Sequence, residues 1–376
     1  MSPAKVKTVK KYRRDMDLCS FCAGCVGNCA AYKATGWESY SARGKIYLLK
    51  SAVNEWFSDP EALRDRIFTC TLCRSCDKAC DAGYEPSEVF QAARVEIVAA
   101  GNAPESVVKI QENLKTTQNP SGMNPEVRGG WIEEYQDLLD MESKTLLFAG
   151  CNAAYKGKEQ IGKVLRLLNA IGVKPSAMRD EACCGLVAYQ VGDVPLAESL
   201  AAANTAPLKE RAIEEMIFVC PSCAAFFAEM YPMFDKEFTA KPKLYFELLL
   251  DHLDELPLKN LSGKTVTYHD PCHLARYMGQ TEGPRAIIER TGATLVEMDA
   301  NRDKAACCGG GAGLLAYNLD RSLKVAEARI RDALETGASA IITPCSTCQE
   351  TLEGAVFRVD EAMDLEVWNL LDLFDI

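Results

Sequence analysis

The sequence predicts an α/β protein: an N-terminal, mainly α module that carries two cysteine runs, followed by two pseudo-repeated α/β domains. Three observations carry this expectation. A ten-cysteine array reads as one unit written twice: Cys151, Cys183-Cys184-Gly185 and Cys220-Pro221-Ser222-Cys223, then Cys272, Cys307-Cys308-Gly309 and Cys345-Ser346-Thr347-Cys348. The spacings nearly match, with 31 and 34 residues from the lone cysteine to the pair, and 34 and 35 from the glycine to the closing CxxC. A period of roughly 120 residues marks two copies of one structural unit. Short apolar runs stand before the cysteines, as strands stand before the ligand-binding loops of an open parallel sheet. Upstream of the array, C-x2-C-x2-C-x3-C occurs twice, at Cys19–Cys29 and Cys70–Cys80, separated by 40 residues.

In chain order, residues 1–14 hold Lys5, Lys7, Lys10, Lys11, Arg13 and Arg14 with no acid among them, which reads as a solvated or partner-docking arm. Between the two cysteine runs, Arg43-Gly44-Lys45-Ile46-Tyr47-Leu48-Leu49 is expected to form a helix that buries Ile46, Leu48 and Leu49. A second apolar-patterned helix is expected over Val89–Ala100. Gly101, Pro104, Pro120, Gly122, Pro125 and Gly129-Gly130 then give a composition typical of a linker. The expected domains are therefore 1–100, a linker over 101–143, and repeats over 144–260 and 261–376.

In the first repeat, Thr145–Ala149 and Met216–Val219 read as strands leading to Cys151 and Cys220, with a helix over Gln160–Ile171. In the second, Thr265–Tyr268 and Ala340–Thr343 lead to Cys272 and Cys345. Apolar helices over Leu244–Leu256 and Leu365–Phe374 are expected to close the repeats.

The cysteine chemistry discriminates between metals. Structural zinc closes with four ligands in a tetrahedron, so five cysteines per repeat, two of them adjacent, do not fit one zinc site. Neighbouring Cys183 and Cys184 point apart from one backbone and can reach two irons of one cluster. The N-terminal runs have the spacing of a two-cluster ferredoxin, in which the fourth cysteine of each run crosses to the other cluster. This assigns Cys19, Cys22, Cys25 and Cys80 to one cubane [4Fe-4S] cluster, and Cys70, Cys73, Cys76 and Cys29 to a second. The proline usual after the fourth cysteine is replaced by Ala30 and Asp81, which alters the turn and leaves the thiolates in place.

On these residues the array resembles the duplicated CCG domain of the heterodisulfide reductase catalytic subunit family. The resemblance covers roughly residues 145–376. It implies that Cys151, Cys183, Cys184, Cys220 and Cys223 hold one noncubane [4Fe-4S] cluster, and Cys272, Cys307, Cys308, Cys345 and Cys348 a second. It further implies that the cubanes pass electrons singly to this pair, where a disulfide of the coenzyme M–coenzyme B type is reduced to two thiols. The Arg43–Leu49 stretch is also similar to the iron–sulfur subunits of glycolate and lactate oxidases, which join the same ferredoxin module to CCG domains. That likeness implies an alternative role as an electron-transfer subunit serving a flavin-dependent oxidase. Retention of all five cysteines in both repeats favours the reductase, since relatives that only relay electrons can lack some of them.

Beyond the ligands, Tyr268-His269-Asp270-Pro271-Cys272-His273-Leu274-Ala275-Arg276 surrounds one cysteine. Disulfide cleavage takes two protons, so His273 is a candidate donor, and Arg276 a candidate partner for an anionic substrate group. Either histidine could instead hydrogen-bond a cluster sulfur and tune its potential. His252 reads as structural. Gly309–Gly313 and Ser262–Thr265 resemble nucleotide loops but lack required glycines at Leu314 and Leu258.

Composition excludes other classes. A net charge of −11 argues against a nucleic-acid partner. No apolar run approaches the roughly 18 residues of a membrane span. All 18 cysteines fall in cluster-like motifs, which favours a reducing compartment and hence a cytoplasmic location, with any membrane association through a partner. No flavin or nicotinamide motif is present, so a redox partner subunit, a flavoprotein or a membrane cytochrome, is expected.

Overall fold

The computed structural model describes residues 9–376, and Lys5 and Lys7 of the basic arm lie outside them. The rest of that arm is less free than expected: a 3₁₀ turn over Val9–Tyr12 leads into a helix over Arg13–Leu18. Val9, Tyr12 and Met16 are buried in the same apolar cluster as Ile46, Leu49, Ile67 and Phe90, while Lys10, Lys11, Arg13 and Arg14 remain exposed. The helix Ala42–Val53 starts on Ser41, whose hydroxyl accepts from the Gly44 amide at 3.0 Å. It buries Ile46 and Leu49, but Leu48 is only half-buried. The helix Pro86–Ala99 begins with proline at its first position, where the missing N–H is no loss.

The 101–143 segment, expected as a linker, carries a helix over Glu105–Thr117 that buries Val107, Ile110 and Leu114. A short helix over Gly130–Glu134 follows and buries Trp131 and Ile132. Apolar side chains at i, i+3 and i+7 supply the helical face that its prolines and glycines mask in composition.

Each repeat is a small parallel sheet with helices against it. In the first, β1 (Thr145–Phe148), β2 (Glu215–Phe218) and β3 (Lys241–Leu244) run in the order β1-β2-β3. In the second, β4 (Thr265–Tyr268), β5 (Thr294–Leu295), β6 (Ala340–Thr343) and β7 (Glu366–Asn369) run β5-β4-β6-β7. The repeats superimpose in topology: β1, β2 and β3 correspond to β4, β6 and β7. A single bridge from Leu146 to Ser176 stands where β5 pairs β4. Leu146, Leu147, Phe148, Met216, Ile217 and Phe218 are wholly buried, as expected of parallel strands covered on both faces.

The closing segments differ from the expected helices. Leu244 ends β3, and only Tyr245–Leu249 is α-helical before a 3₁₀ turn over Leu250–His252. In the second repeat the segment is β7 followed by a 3₁₀ turn over Leu370–Leu373. Glu366–Asn369 pairs residue for residue with Ala340–Thr343, and this tertiary pairing overrides the apolar run.

Arg94 joins the three parts. Fully buried on the helix Pro86–Ala99, it donates to the carbonyls of Ile67 and Cys70 in its own module, Gln190 in the first repeat and Ala312 in the second. Burial lowers its pKa to about 10, still leaving it charged near neutrality.

Candidate iron–sulfur centres and the cavity beside them

The two N-terminal runs share one backbone device. In Cys19–Cys25, Phe21 and Ala23 have φ of 57° and 69°; at the equivalent places in Cys70–Cys76, Leu72 and Arg74 have φ of 48° and 60°. Left-handed residues flanking the middle cysteine coil the chain so that successive amides face inward, a concavity suited to an anionic group. Cys19, Cys22, Cys25 and Cys80 line one cavity; Cys29, Cys70, Cys73 and Cys76 line another. Each fourth cysteine is thus brought to the other run's turn. Cys22 is exposed, and among the cysteines it alone is so.

In the first repeat Cys151 lies in the first turn of the helix Gly150–Lys156 directly after β1. Cys183 and Cys184 precede the helix Leu186–Val191, and Cys220 caps the helix Pro221–Glu229 directly after β2. The thiols form a chain of hydrogen-bonding contacts: Cys151 to Cys183, Cys183 to Cys184, Cys184 to Cys223 and Cys223 to Cys220. The second repeat has the same chain, Cys272 to Cys307, Cys307 to Cys308, Cys308 to Cys348 and Cys348 to Cys345, with Cys345 capping the helix Ser346–Val356 after β6. Cys220 and Cys345 thus sit at helix N-termini, where the macrodipole favours a thiolate. Ten thiols in two chains of five exceed any tetrahedral zinc site and fit iron–sulfur ligation.

Two contacts link these sets. Cys220 meets Cys345 across the boundary between the repeats. Cys73 meets Cys307, which also contacts the Thr71 hydroxyl at 3.4 Å, across the boundary between the N-terminal module and the second repeat.

Each chain of five also has its own supports. Arg128 lies 3.4 Å from the Cys151 sulfur and 2.5 Å from Glu181, whose carboxylate accepts from the amides of Ala149 and Gly150. In the second repeat His269, Cys308 and Cys348 offer ligand atoms within 4.8 Å of one another. The His269 Nδ1 accepts from Arg329 at 3.2 Å, and the His269 side chain also hydrogen-bonds Cys308.

His273 sits on a single π-helical turn, His273–Tyr277, and is buried. Its Nδ1 lies 3.0 Å from the Ser222 hydroxyl and 3.7 Å from the Cys272 sulfur, and its Nε2 lies 3.3 Å from the Gln190 amide. Burial works against a charged ring, but the adjacent Cys272 thiolate outweighs it and holds the pKa above its ordinary value. Arg276 points elsewhere: its guanidinium donates to the carbonyls of Cys73, Asp303 and Ala305. His252 is part-exposed beside Glu255 at 3.5 Å. A cavity of about 280 Å³ opens beside His273, lined also by Leu72, Gln190, Phe226 and Tyr277. These residues lie near Cys73, Cys184, Cys223 and Cys272 in the chain.

Sequence reasoning missed Arg128, Glu181, Thr71, Ser222 and Gln190. Each acts across a long loop or a boundary between repeats, where spacing carries no signal.

The fold and the thiol sets define an iron–sulfur electron-transfer protein. Its N-terminal region matches the 4Fe-4S dicluster domain over residues 15–84, and the cysteine-rich CCG domain matches twice, over 145–228 and 266–353. The chain thus joins a 4Fe-4S dicluster domain to a duplicated cysteine-rich CCG domain. It is 29% identical to a subunit of the dihydromethanophenazine:CoB–CoM heterodisulfide reductase of Methanosarcina acetivorans, covering 96% of this chain and 93% of that one. It is 28% identical to a probable membrane-anchored ferredoxin of Chromohalobacter salexigens, over 78% of this chain and 45% of that one. It is 24% identical to the EtfAB:quinone oxidoreductase of Syntrophomonas wolfei, over 96% of this chain and 58% of that one. Among the described residues no helix is long and apolar enough to cross a membrane.

Proposed function

We propose that this protein is the disulfide-reducing iron–sulfur subunit of a larger cytoplasmic redox complex. The observation that carries the reading is the contact of Cys220 with Cys345, by which the two five-cysteine sets lie side by side. In the reaction R–S–S–R′ takes up two electrons and two protons, its S–S bond breaks, and two thiols leave. Clusters bound at the four thiol sets supply one-electron carriers, two cubane and two noncubane. The cysteines hold them: Cys19, Cys22, Cys25 and Cys80; Cys29, Cys70, Cys73 and Cys76; and the two sets of five. His273, buried between Cys272 and Ser222, holds a proton at Nδ1 for a departing thiolate. Arg276 acts as a positioning residue that ties the Cys73 turn to the second repeat. Electrons come from a partner subunit, a flavoprotein or a membrane cytochrome.

A second reading, an electron-relay subunit serving a flavin-dependent oxidase of the glycolate or lactate type, draws support from the likeness to the quinone oxidoreductase. Iron quantification and EPR spectroscopy of the anaerobically purified protein separate the two. The reductase reading expects about sixteen irons and a new paramagnetic signal when a small thiol is added to oxidised protein. The same iron content without a thiol-dependent signal establishes the relay, and zinc in place of iron removes both.

A further inference from the structure

The cavity beside His273 has a charge pattern of its own. Three carboxylates line it, Glu85, Glu88 and Glu229, and Arg74 is its one Lys or Arg. Arg74 is already engaged: its guanidinium lies 2.5 Å from Glu229 and 3.7 Å from Glu88, and stacks 3.8 Å above the Tyr277 ring. Among the described residues an anionic group entering here meets three carboxylates, an Arg74 already paired with two of them and a His273 held against the Cys272 sulfur, so it loses hydration with little charge compensation. The remaining wall is apolar and polarizable, with Tyr189, Phe226, Met230 and Met233. Gln190 and His273 are buried polar groups at its inner end.

We propose that this cavity admits small disulfides, and the thiols they yield, whose non-sulfur groups are uncharged or cationic, and that it excludes those bearing sulfonate, phosphate or carboxylate. This rests on the disulfide-reductase reading. It narrows that reading, because the coenzyme M half of the disulfide named for the Methanosarcina relative is a sulfonate. Glu88 and Glu229 are the residues that set the preference, and they do so partly by holding Arg74.

Three thiols with the same two-carbon skeleton and different charge test it: cysteamine, 2-mercaptoethanol and 2-mercaptoethanesulfonate. Each is titrated into the oxidised, cluster-loaded full chain, and the concentration giving half the thiol-dependent EPR change is read. Cysteamine and 2-mercaptoethanol are expected to act at concentrations about tenfold or more below the sulfonate. In Glu229→Gln and Glu88→Gln, which free Arg74, the gap should close. Should either variant fail to load clusters, the native protein near 1 M salt replaces it, where a screening length of about 3 Å should narrow the gap. A sulfonate that acts at the same or lower concentration than cysteamine overturns this inference and leaves the reductase reading standing. Silence with all three thiols overturns both.

Discussion

Cys220 and Cys345, each the first cysteine of the closing CxxC of its repeat, lie close enough to interact across the boundary between the two repeats. Each also caps the helix that follows a central strand, so the pseudo-symmetry of the fold brings equivalent atoms face to face. Replacing Cys345 with serine should therefore disturb the EPR signals of both five-cysteine sets. Cys151→Ser, at the far end of the first chain, should disturb that set alone. Equal effects of the two variants on the second set would contradict the shared boundary.

The crossing of Cys29 gives a second test. Cys29→Ser removes a thiol from the cavity of Cys70, Cys73 and Cys76, not from that of its own run. Iron should fall by about four per chain, and the centre nearest exposed Cys22 should keep its spectrum.

The glycine after each cysteine pair is left-handed, with φ of 94° at Gly185 and 89° at Gly309. A Cβ on Gly309 would lie 2.4 Å from the Ser322 carbonyl, whereas on Gly185 the nearest atom is the Ala197 carbonyl at 3.1 Å. Both alanine variants carry a strained φ, of order 1–3 kcal/mol. Gly309→Ala adds a backbone clash and should lower the thermal midpoint further than Gly185→Ala.

Asp65 fastens the N-terminal module to the second repeat, accepting from Arg321 at 2.6 Å and Tyr317 at 2.8 Å, and from Tyr40 within its own module. Burial alone would raise its pKa, but these three donors outweigh it and hold the carboxyl below its ordinary 3.8. A folded pKa below the unfolded one stabilises above the unfolded value, so the contribution is complete above roughly pH 4–5 and is lost as pH falls through the folded value. Asp65→Asn should cost about 1–3 kcal/mol at pH 7 and less near pH 3. Denaturant midpoints at the two pH values check this.

Counting back from the first cysteine of each repeat, Phe148 occupies the place of His269. A hydrogen bond to a ligand sulfur stabilises the more negative, reduced state, so His269 should raise the potential of the second five-cysteine set, as Arg128 beside Cys151 should raise that of the first. His269→Phe should lower the potential of the second set and leave the first set unchanged in an EPR-monitored redox titration.

Much of this architecture is legible in the cysteines, because a ligand's spacing is a local property of the chain. The β1, β2, β4 and β6 strands are apolar runs that end within a few residues of a cysteine, and the crossed sets follow from the spacing of two short turns. Other features are not local. β7 becomes a strand because β6 lies beside it. Arg128 reaches Cys151 from a segment whose glycines and prolines suggest a connector. Arg276, beside a ligand in sequence, turns its guanidinium toward the Cys73 carbonyl, and only the packing of the N-terminal module makes that carbonyl available.

The burial of Arg94 constrains the order in which the molecule can be assembled. Its guanidinium is shared among carbonyls of all three parts, and the Cys73–Cys307 contact lies at the same closed junction. Once these parts dock, all five thiols of the second repeat are buried while Cys22 stays open to solvent. Metal delivery to the second repeat should therefore precede docking, so chains that close while starved of iron should afterwards regain that centre more slowly than the one at Cys22.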